Sequence, residues 1–119
     1  MIENYIRYYN DMNIESMLAL FTDDAQFESV SNTEGVIKIS NKDQLKELAI
    51  SSTNFFEQRR QTPSSWVISD NRVAVEIDYW CKLAKDLPNG KKVGEEMKLR
   101  GASFFEIRGG LICKLTDYM

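Results

Sequence analysis

Histidine is absent from this chain of 119 residues, and its absence removes several kinds of catalytic and metal site. Without an imidazole, the chain cannot build a Ser-His-Asp or Cys-His nucleophile, a histidine-ligated zinc or iron site, or an imidazole general base. Proton transfer would have to use carboxylates, tyrosine, lysine or cysteine. The chain also lacks a glycine-rich phosphate loop, and we expect neither a metal nor any other cofactor.

Glycine, proline and cysteine are scarce, with 6, 2 and 2 residues, while apolar residues make up 43% of the chain. This composition is typical of a globular protein and excludes a disordered or low-complexity chain. Cys81 and Cys113 form no CxxC motif, so we expect buried thiols rather than a disulfide. The 15 basic and 18 acidic residues are interspersed. The sequence therefore predicts no basic face of the kind that binds nucleic acid.

Long apolar runs are missing as well. Residues 1–10 hold no apolar segment of the kind that signal peptides contain, and no run approaches the roughly 18 residues of a membrane span. We therefore expect a cytoplasmic protein with no membrane or nucleic-acid partner. At this length, residues 1–119 are expected to form a single domain.

Apolar residues in the first half of the chain recur at helical spacing. Two short helices are predicted within residues 2–9 and 14–21, and Asn13 stands where the second helix needs its N-cap. A strand is expected at about residues 25–31. A capping-box-like start then opens a third helix over residues 40–56.

From residue 57 onward the apolar period changes from that of a helix to that of a strand. Turn signals at residues 70–71, 87–90 and 109–110 divide this part into four strands. Pro63 predicts that the first of these strands lies at an edge or carries a bulge. The order is α-α-β-α followed by a four-stranded antiparallel meander. The predicted class is therefore α+β, with the helices packed on one face of a curved sheet.

The hairpin closed at residues 87–90 has a register that brings opposite charges together. In this register Asp78 faces Arg100 and Lys82 faces Glu96, as cross-strand pairing favours. A slip by one residue would set charges against apolar side chains. These charged residues form a ladder across the two strands, made up of Glu76, Asp78, Lys82, Glu96, Lys98 and Arg100. We interpret this charged ladder as exposed or as facing a dimer partner, and the alternative is that it belongs to a functional site.

The opposite face of the same strands is apolar apart from one carboxylate, that of Asp117. This face is predicted to carry Val75, Ile77, Tyr79, Leu99, Ser103, Phe105, Cys113 and Leu115, with Trp66 across from Val75. In the last hairpin we expect Ser103 to face Leu115 and Gly101 to face Asp117. A carboxylate in apolar surroundings has a raised pKa and can act as a general acid or base near neutral pH. The alternative is a solvated Asp117 at a strand end.

Residues toward both ends of the chain carry a family resemblance. The first stretch contains Tyr5-Ile6, Asn13-Ile14-Glu15, Phe21-Thr-Asp-Asp-Ala25 and Glu28, and the second runs from Leu99-Arg-Gly-Ala-Ser-Phe-Phe-Glu-Ile to Lys-Leu-Thr-Asp-Tyr118. Together they resemble the SnoaL-like, ketosteroid-isomerase-like branch of the NTF2-like superfamily. The resemblance implies a cone-shaped fold, in which a curved antiparallel sheet wraps around the N-terminal helices and leaves an apolar pocket open at one end. It also implies homodimers that form through the outer face of the sheet.

Ketosteroid isomerases of this branch use a tyrosine on the first helix, an aspartate base on the first strand and a second acid on a late strand. Tyr5 matches the tyrosine. The position of the base is Ser29 here, and the second acid falls at Ala102 or Ser103. The resemblance therefore does not imply steroid isomerisation.

Other members of the superfamily offer different chemistry. Limonene-epoxide-hydrolase-like members use two aspartates bridged by an arginine. Asp117 matches one aspartate and Asp78 could match the other, but the arginine position would then be Glu76, and the ladder register puts Asp78 on the opposite face. Polyketide-cyclase-like members use an acidic residue in the pocket, which Asp117 alone could supply. Scytalone-dehydratase-like chemistry needs histidines and is not expected.

We therefore predict a protein that binds a small apolar organic molecule and that acts on it as an isomerase, cyclase, dehydratase or epoxide hydrolase. Asp117 would transfer the proton, and Tyr5 would donate a hydrogen bond to a developing oxyanion. The predicted ligand-binding residues are Phe21, Phe27, Ser29, Phe56, Trp66, Ile77, Tyr79, Ser103, Phe105 and Leu115. The alternative for Tyr5 is a packed core ring. The alternative for the whole protein is a non-catalytic ligand-binding or dimerisation module.

Overall fold

Three helices and six strands form within residues 1–31 and 35–119, which are the residues that this computed structural model describes. The elements are α1 (Ile2–Asn10), α2 (Ile14–Leu18), β1 (Phe21–Ser31), β2 (Gly35–Ile39), α3 (Lys42–Thr53), β3 (Phe56–Ser69), β4 (Arg72–Leu83), β5 (Glu96–Arg108) and β6 (Leu111–Tyr118). The strands form one curved, open sheet in the order β2-β1-β6-β5-β4-β3. The predicted α+β class and the meander from β3 to β6 are confirmed.

The first half of the sheet differs from the prediction in two ways. A second strand, β2, pairs antiparallel with β1, and β1 pairs in parallel with β6. The sheet is therefore mixed rather than purely antiparallel. The parallel pairing joins residues almost ninety positions apart, such as Phe27 and Leu115. Local patterning carries no information about a contact of that sequence separation.

Helices α2 and α3 begin at side-chain caps and end earlier than predicted. Asn13 Oδ1 accepts a hydrogen bond from the Ser16 backbone N–H at 3.3 Å, which confirms the predicted N-cap. The cap of α3 is Asn41, whose Oδ1 accepts from the Gln44 N–H at 2.9 Å. Phe21 and Phe56, which were predicted as the last apolar residues of helices, instead begin β1 and β3.

The two faces of the sheet are defined by alternate residues of β4. The inner face carries Val75, Ile77, Tyr79 and Cys81, all of which are buried, and the outer face carries Glu76, Asp78, Trp80 and Lys82. The β4–β5 register is the predicted one, with Asp78 opposite Arg100 and Lys82 opposite Glu96. The helices α1 and α3 contact β3 and β1 and close over the inner face.

The last hairpin has a different register from the predicted one. A two-residue turn at Gly109–Gly110 sets Arg108 opposite Leu111, and both glycines have positive φ, which suits a tight hairpin turn. A bulge follows, so that Ser103 lies opposite Asp117 rather than opposite Leu115. The prediction was therefore wrong by two residues along the strand. Because the error is even, Asp117 still lies on the face of Ser103.

The same bulge decides which residues of β6 enter the core. Ile112 is fully buried, whereas Cys113, predicted on the inner face, is only partly buried. A bulge places two residues against one on the partner strand and so reverses the alternation on one side of it. Both cysteines are free thiols, and Cys81 is the buried one of the two.

Strand β3 also carries a bulge, which lies beside Pro63. The pairing with β4 shifts between Pro63 and Ser65, and β3 is an edge strand of the sheet. Both predictions for this proline are confirmed. Below the bulge, Arg59 and Gln61 turn to the inner face, where each is about 95% buried.

The core fills the space between α1, α2 and the inner face of the sheet. Its fully buried large side chains include Phe21, Phe105, Ile77, Ile112, Leu115 and Val75. Two residues of the predicted inner row depart from this pattern. Leu99 is 41% exposed, and Trp66, although opposite Val75 as predicted, is 37% exposed.

Among the helices of residues 1–31 and 35–119, none combines the length and apolarity that crossing a bilayer requires.

Candidate functional site

Asp117 lies near the end of β6, on the inner face and partly buried. Its backbone neighbours are Ser103 on β5 and Ser29 on β1, one on each side. The Ser103 hydroxyl donates a hydrogen bond to Asp117 Oδ1 at 2.6 Å, and Ser103 is itself 3% exposed. The carboxylate is therefore held by a neutral donor rather than by a cation.

Burial raises the pKa of Asp117 to about 6, and the hydrogen bond from Ser103 opposes this rise without cancelling it. A carboxyl group with such a pKa exchanges its proton in the neutral range, where a general acid or base is most useful. The pKa shift arises from the position of the residue, because the inner face removes water from one side of the charge.

Tyr5 reaches the same interior from α1. Its ring is 5% exposed and makes edge contacts with Phe21 and Phe105, at centroid distances of 5.8 and 5.4 Å. Burial, followed by the nearby charge of Asp117, raises the pKa of Tyr5 well above its usual value. The phenol therefore keeps its proton and can act as a hydrogen-bond donor.

The hydroxyl of Tyr5 has no hydrogen-bond partner among the described residues. Among the described residues, Thr22 Oγ1 is the only side-chain oxygen or nitrogen that is both fully buried and without a partner. The unpartnered hydroxyl of Tyr5 therefore keeps some contact with solvent. A buried tyrosine usually satisfies its hydroxyl. The ring of Tyr5 is thus packed as a core side chain, while its donor remains available.

A second group of polar side chains lies farther along the inner face, between the end of α1 and the strands β3 and β4. The hydroxyls of Tyr9 and Tyr79 share a hydrogen bond at 3.1 Å. The guanidinium carbon of Arg59 lies 3.7 Å from the centre of the Tyr9 ring, and Arg59 Nε donates to the Tyr9 carbonyl at 3.2 Å. Gln61 lies opposite Tyr79 on the neighbouring strand.

The two polar groups belong to one interior surface. Burial raises the pKa of Tyr5 and of Tyr9, the charge of Asp117 raises both further, and the charge of Arg59 lowers both. Each tyrosine therefore lies within electrostatic range of the acid and of the arginine. Of this second group, the sequence had indicated only Tyr79. The missing signal for Arg59 and Gln61 was the bulge at Pro63, which decides the face on which they lie.

The predicted ligand-binding residues occupy three different settings. Phe21, Ile77, Phe105 and Leu115 are at most 2% exposed, Tyr79 and Ser103 are also buried, Phe27, Ser29 and Phe56 are half-buried, and Trp66 is exposed at the rim of the sheet. The first two sets form the packed floor beneath the helices. The half-buried set and Trp66 retain accessible surface, and contact of any of these residues with a ligand stays a prediction.

The charged ladder lies on the outer face and is exposed. Arg100 Nε lies 3.5 Å from Asp78 Oδ1, and the Trp80 indole N–H donates to Glu96 at 2.6 Å. Lys82 pairs with Glu57 at 3.6 Å instead of with Glu96 opposite it. Asp78 and Asp117 therefore point away from each other, and the two-aspartate arrangement of epoxide hydrolases is not formed.

Two open depressions lie over this outer face, with volumes of about 380 and 510 Å³. Ladder residues line them, and Arg100 contributes to both. Asp117 does not line either of them. An apolar pocket beside Asp117, which the family resemblance implies, thus stays a prediction.

Comparison with known proteins finds a family and a fold. The family model of the SnoaL-like domain matches residues 2–115. No curated protein matches the chain. A protein with a ketosteroid-isomerase-like fold from Catenulispora acidiphila, solved with trimethylamine, is 17% identical with a TM-score of 0.80, over 99% of this chain and 83% of that one. A proposed polyketide cyclase from Pseudomonas putida is 19% identical with a TM-score of 0.80, over 99% and 87%.

A third similar structure is IdmH from Streptomyces antibioticus, also described as a proposed polyketide cyclase. It is 13% identical with a TM-score of 0.81, over 98% of this chain and 86% of that one. At these identities the three structures establish the fold alone. Nearly the whole chain takes part in the similarity.

Proposed function

Because the chain belongs to the SnoaL-like domain family, we propose that it binds a small, largely apolar organic molecule on the inner face of its sheet and acts on it by acid–base chemistry. The position and the raised pKa of Asp117 carry this proposal. The proposed polyketide cyclases among similar structures support a reaction that begins with enolisation next to a carbonyl group. Cyclisation, isomerisation and dehydration all share that first step.

In the proposed step, ionised Asp117 accepts a proton from the carbon next to a carbonyl of the ligand. The electron pair of the broken C–H bond moves to the carbonyl oxygen and forms an enolate. The hydroxyl of Tyr5 donates a hydrogen bond to that oxygen and keeps its proton. This hydrogen bond stabilises the developing charge. Ser103 keeps the carboxylate in place through its 2.6 Å hydrogen bond.

The test uses hydrogen–deuterium exchange at the central carbon of aryl 1,3-diketones, followed by NMR. Wild-type protein should accelerate the exchange, and the rate should rise with pH and level off above a pH of about 6, where Asp117 is ionised. Asp117→Asn should lose roughly 10²- to 10⁴-fold of the acceleration. Asp78→Asn is the matched control, because it removes an acid from the outer face of the same sheet.

An exchange rate that survives Asp117→Asn, or that falls equally in Asp78→Asn, would contradict the role of Asp117.

Tyr5→Phe tests the proposed hydrogen-bond donor, the Tyr5 hydroxyl. It removes one donor and keeps the ring, so we expect a rate loss of about 10- to 1000-fold with ligand binding retained. Loss of binding and rate together would assign Tyr5 to packing instead.

The alternative, a non-catalytic module that forms a homodimer through the outer face, is favoured by a separate observation. Beside the ladder, Phe104 and Tyr118 are 45% and 46% exposed, and their rings contact each other edge to face at 5.6 Å. Exposed aromatic rings next to charged pairs suit an interface between two copies. We propose that such a homodimer forms, whether or not the protein is an enzyme.

Sedimentation measures this directly. Asp78→Arg and Arg100→Asp should each shift the balance towards monomers by setting like charges against each other, and the double reversal should restore part of the dimer. Unchanged sedimentation in both single variants would reject the ladder as part of the interface.

A further inference from the structure

Arg59 is the buried arginine of the inner face, and its charge has no counterion there. It is 5% exposed, and no carboxylate oxygen of residues 1–31 and 35–119 lies within ion-pair distance of it. Of the exposed arginines, Arg72, Arg100 and Arg108 each pair with a carboxylate, whereas Arg7 and Arg60 do not pair with one among the described residues. Buried charges are normally paired, whereas exposed ones have little need of a partner. Arg59 therefore departs from the rule for buried charges.

Arg59 contacts Tyr9 in two ways, which together occupy one N–H donor and fix the plane of the guanidinium. Its Nε–H donates to the Tyr9 carbonyl at 3.2 Å, and its guanidinium lies 3.7 Å from the centre of the Tyr9 ring. Tyr9 is in the last turn of α1, where the helix carries only a partial negative charge. The stack and the carbonyl stabilise the cation in part, but neither neutralises it.

The two terminal nitrogens of Arg59 remain available. They have no hydrogen-bond partner among the described residues, and they are not fully buried either, since Thr22 Oγ1 is the only atom there that is both sealed and unpartnered. A guanidinium presents its terminal N–H groups as a planar fork that matches the two oxygens of a carboxylate. With its Nε side engaged, Arg59 offers that fork end-on.

We propose that Arg59 binds a carboxylate group of the ligand. This inference rests on the proposed function in one respect, namely that the ligand occupies the inner face. The ligand would then have two ends: a carboxylate at Arg59, and a reacting carbon at Asp117, with an apolar body along Tyr5 and Tyr9 between them. Both tyrosines are within electrostatic range of both charged residues, which fits a single molecule that contacts all four.

The polar neighbours of Arg59 fit such an anion. One of the Tyr9 and Tyr79 hydroxyls donates its hydrogen bond to the other at 3.1 Å, so the accepting hydroxyl keeps its own O–H to donate to a ligand oxygen. Gln61 is 4% exposed and lies next to them on the same face. Neutral donors beside a cation are the usual surroundings of a bound carboxylate.

The test compares two aromatic probes of the same shape, 2-naphthoate and 2-naphthalenemethanol, by isothermal titration. Wild-type protein should bind the carboxylate about 10- to 100-fold more tightly than the alcohol, the range expected for a charge-assisted pair. Arg59→Met should lose this preference while still binding the alcohol. Arg60→Met is the matched control: the neighbouring arginine is exposed and lies opposite Trp80, on the outer face. It should keep the wild-type preference.

Three results would overturn the proposal: equal affinity of wild-type protein for the two probes, no measurable binding of the carboxylate, or a preference that survives Arg59→Met. Asp117→Asn separates this proposal from the one above, because it should abolish exchange catalysis and leave the carboxylate preference intact. If Arg59→Met does not fold, Arg59→Lys decides. It keeps the charge but loses the fork, so a preference as large as that of the wild type would contradict fork binding.

Thermal unfolding adds a readout that a structural role would move in the opposite direction. Replacing an uncompensated buried charge by an apolar side chain of similar size is often neutral or stabilising. Arg59→Met should therefore unfold at the wild-type temperature or above it, and should lose the stabilisation that naphthoate confers on the wild type. A large drop in unfolding temperature would show that Arg59 serves the fold rather than a ligand.

Discussion

The inner and outer faces of the sheet use the same residue types for different purposes. Asp78 on the outer face is exposed and meets Arg100 at 3.5 Å, whereas Asp117 on the inner face meets a serine hydroxyl, and burial raises its pKa to about 6. Arg60 is exposed, and Arg59, one position earlier, is buried without a counterion. The difference teaches that the chemistry of a side chain here depends on its face, which a single step along a strand reverses.

The sharpest test of the two faces compares neighbouring phenylalanines on β5. Phe105→Ala should lower the free energy of unfolding by about 3–5 kcal/mol, because Phe105 is 1% exposed and its removal leaves a cavity. Phe104→Ala should cost less than about 1 kcal/mol in the monomer, because Phe104 is 45% exposed. Urea unfolding at low protein concentration measures both. Similar losses in the two variants would mean that β5 does not present Phe105 inward.

The next effect is the pH dependence of stability, and it distinguishes the two aspartates. Asp117 has a higher pKa in the folded protein, about 6, than the 3.8 of an unperturbed aspartate. Its stabilising contribution is therefore present below pH 3.8 and is lost as the pH rises through about 6. The shift corresponds to about 3 kcal/mol at most.

We expect Asp117→Asn to remove this pH dependence, so that the variant gains on the wild type between pH 4 and about pH 7. Asp78→Asn should leave the pH profile unchanged. Urea unfolding across this range provides the measurement. A wild-type profile that runs parallel to that of Asp117→Asn would show that the inner face does not desolvate the carboxyl group.

A smaller effect is expected at Gly101, where the inner face meets the end of β6. A Cβ atom at this position would lie 2.3 Å from the Tyr118 carbonyl oxygen, a backbone atom that cannot easily yield. Gly101→Ala should therefore displace Tyr118 and Met119, at a cost of about 1–3 kcal/mol. Thermal unfolding and hydrogen exchange of the Met119 amide, which donates to Val30 O at 3.2 Å, report the displacement. Wild-type values for both would indicate a looser strand end.

The smallest effect belongs to the outer ladder. Asp78→Asn removes an exposed ion pair, so the free energy of unfolding of the monomer should change by less than about 1 kcal/mol. The Lys82–Glu57 pair offers a second exposed contact for comparison, through Glu57→Gln. A loss of several kcal/mol in the monomer would show that the outer face contributes to the fold itself, not only to an interface.

Much of the architecture could be predicted from local patterns. The caps, the Asp70-Asn71 turn, the meander and the β4–β5 register all depend on residues close in sequence or on complementary pairs within one hairpin. The β1–β6 parallel pairing and β2 were missed. A short exposed strand and a contact between distant segments carry little local signal.

The candidate site divides in the same way. Asp117 and Ser103 could be found from strand periodicity, and Tyr5 could be found from its helical spacing together with the family resemblance. Arg59 could not, because the uninterrupted register of the Asp70-Asn71 hairpin would set it on the outer face beside Lys82. One extra residue at Ser64 instead moves the pairing of Arg59 to Cys81, on the inner face.

By itself, then, the sequence determined the alternation of its strands, the start of α2 at its Asn13 cap and the absence of imidazole chemistry. These depend on side chains and backbone within a few residues of one another. Only the tertiary structure decided where the alternation slips, at Ser64 and at Cys113 among other positions, and thus which arginine is buried and how Ser103 meets Asp117. A bulge is placed by the fit of a strand to its partner and to the core beneath it, and that fit exists only once the chain has folded.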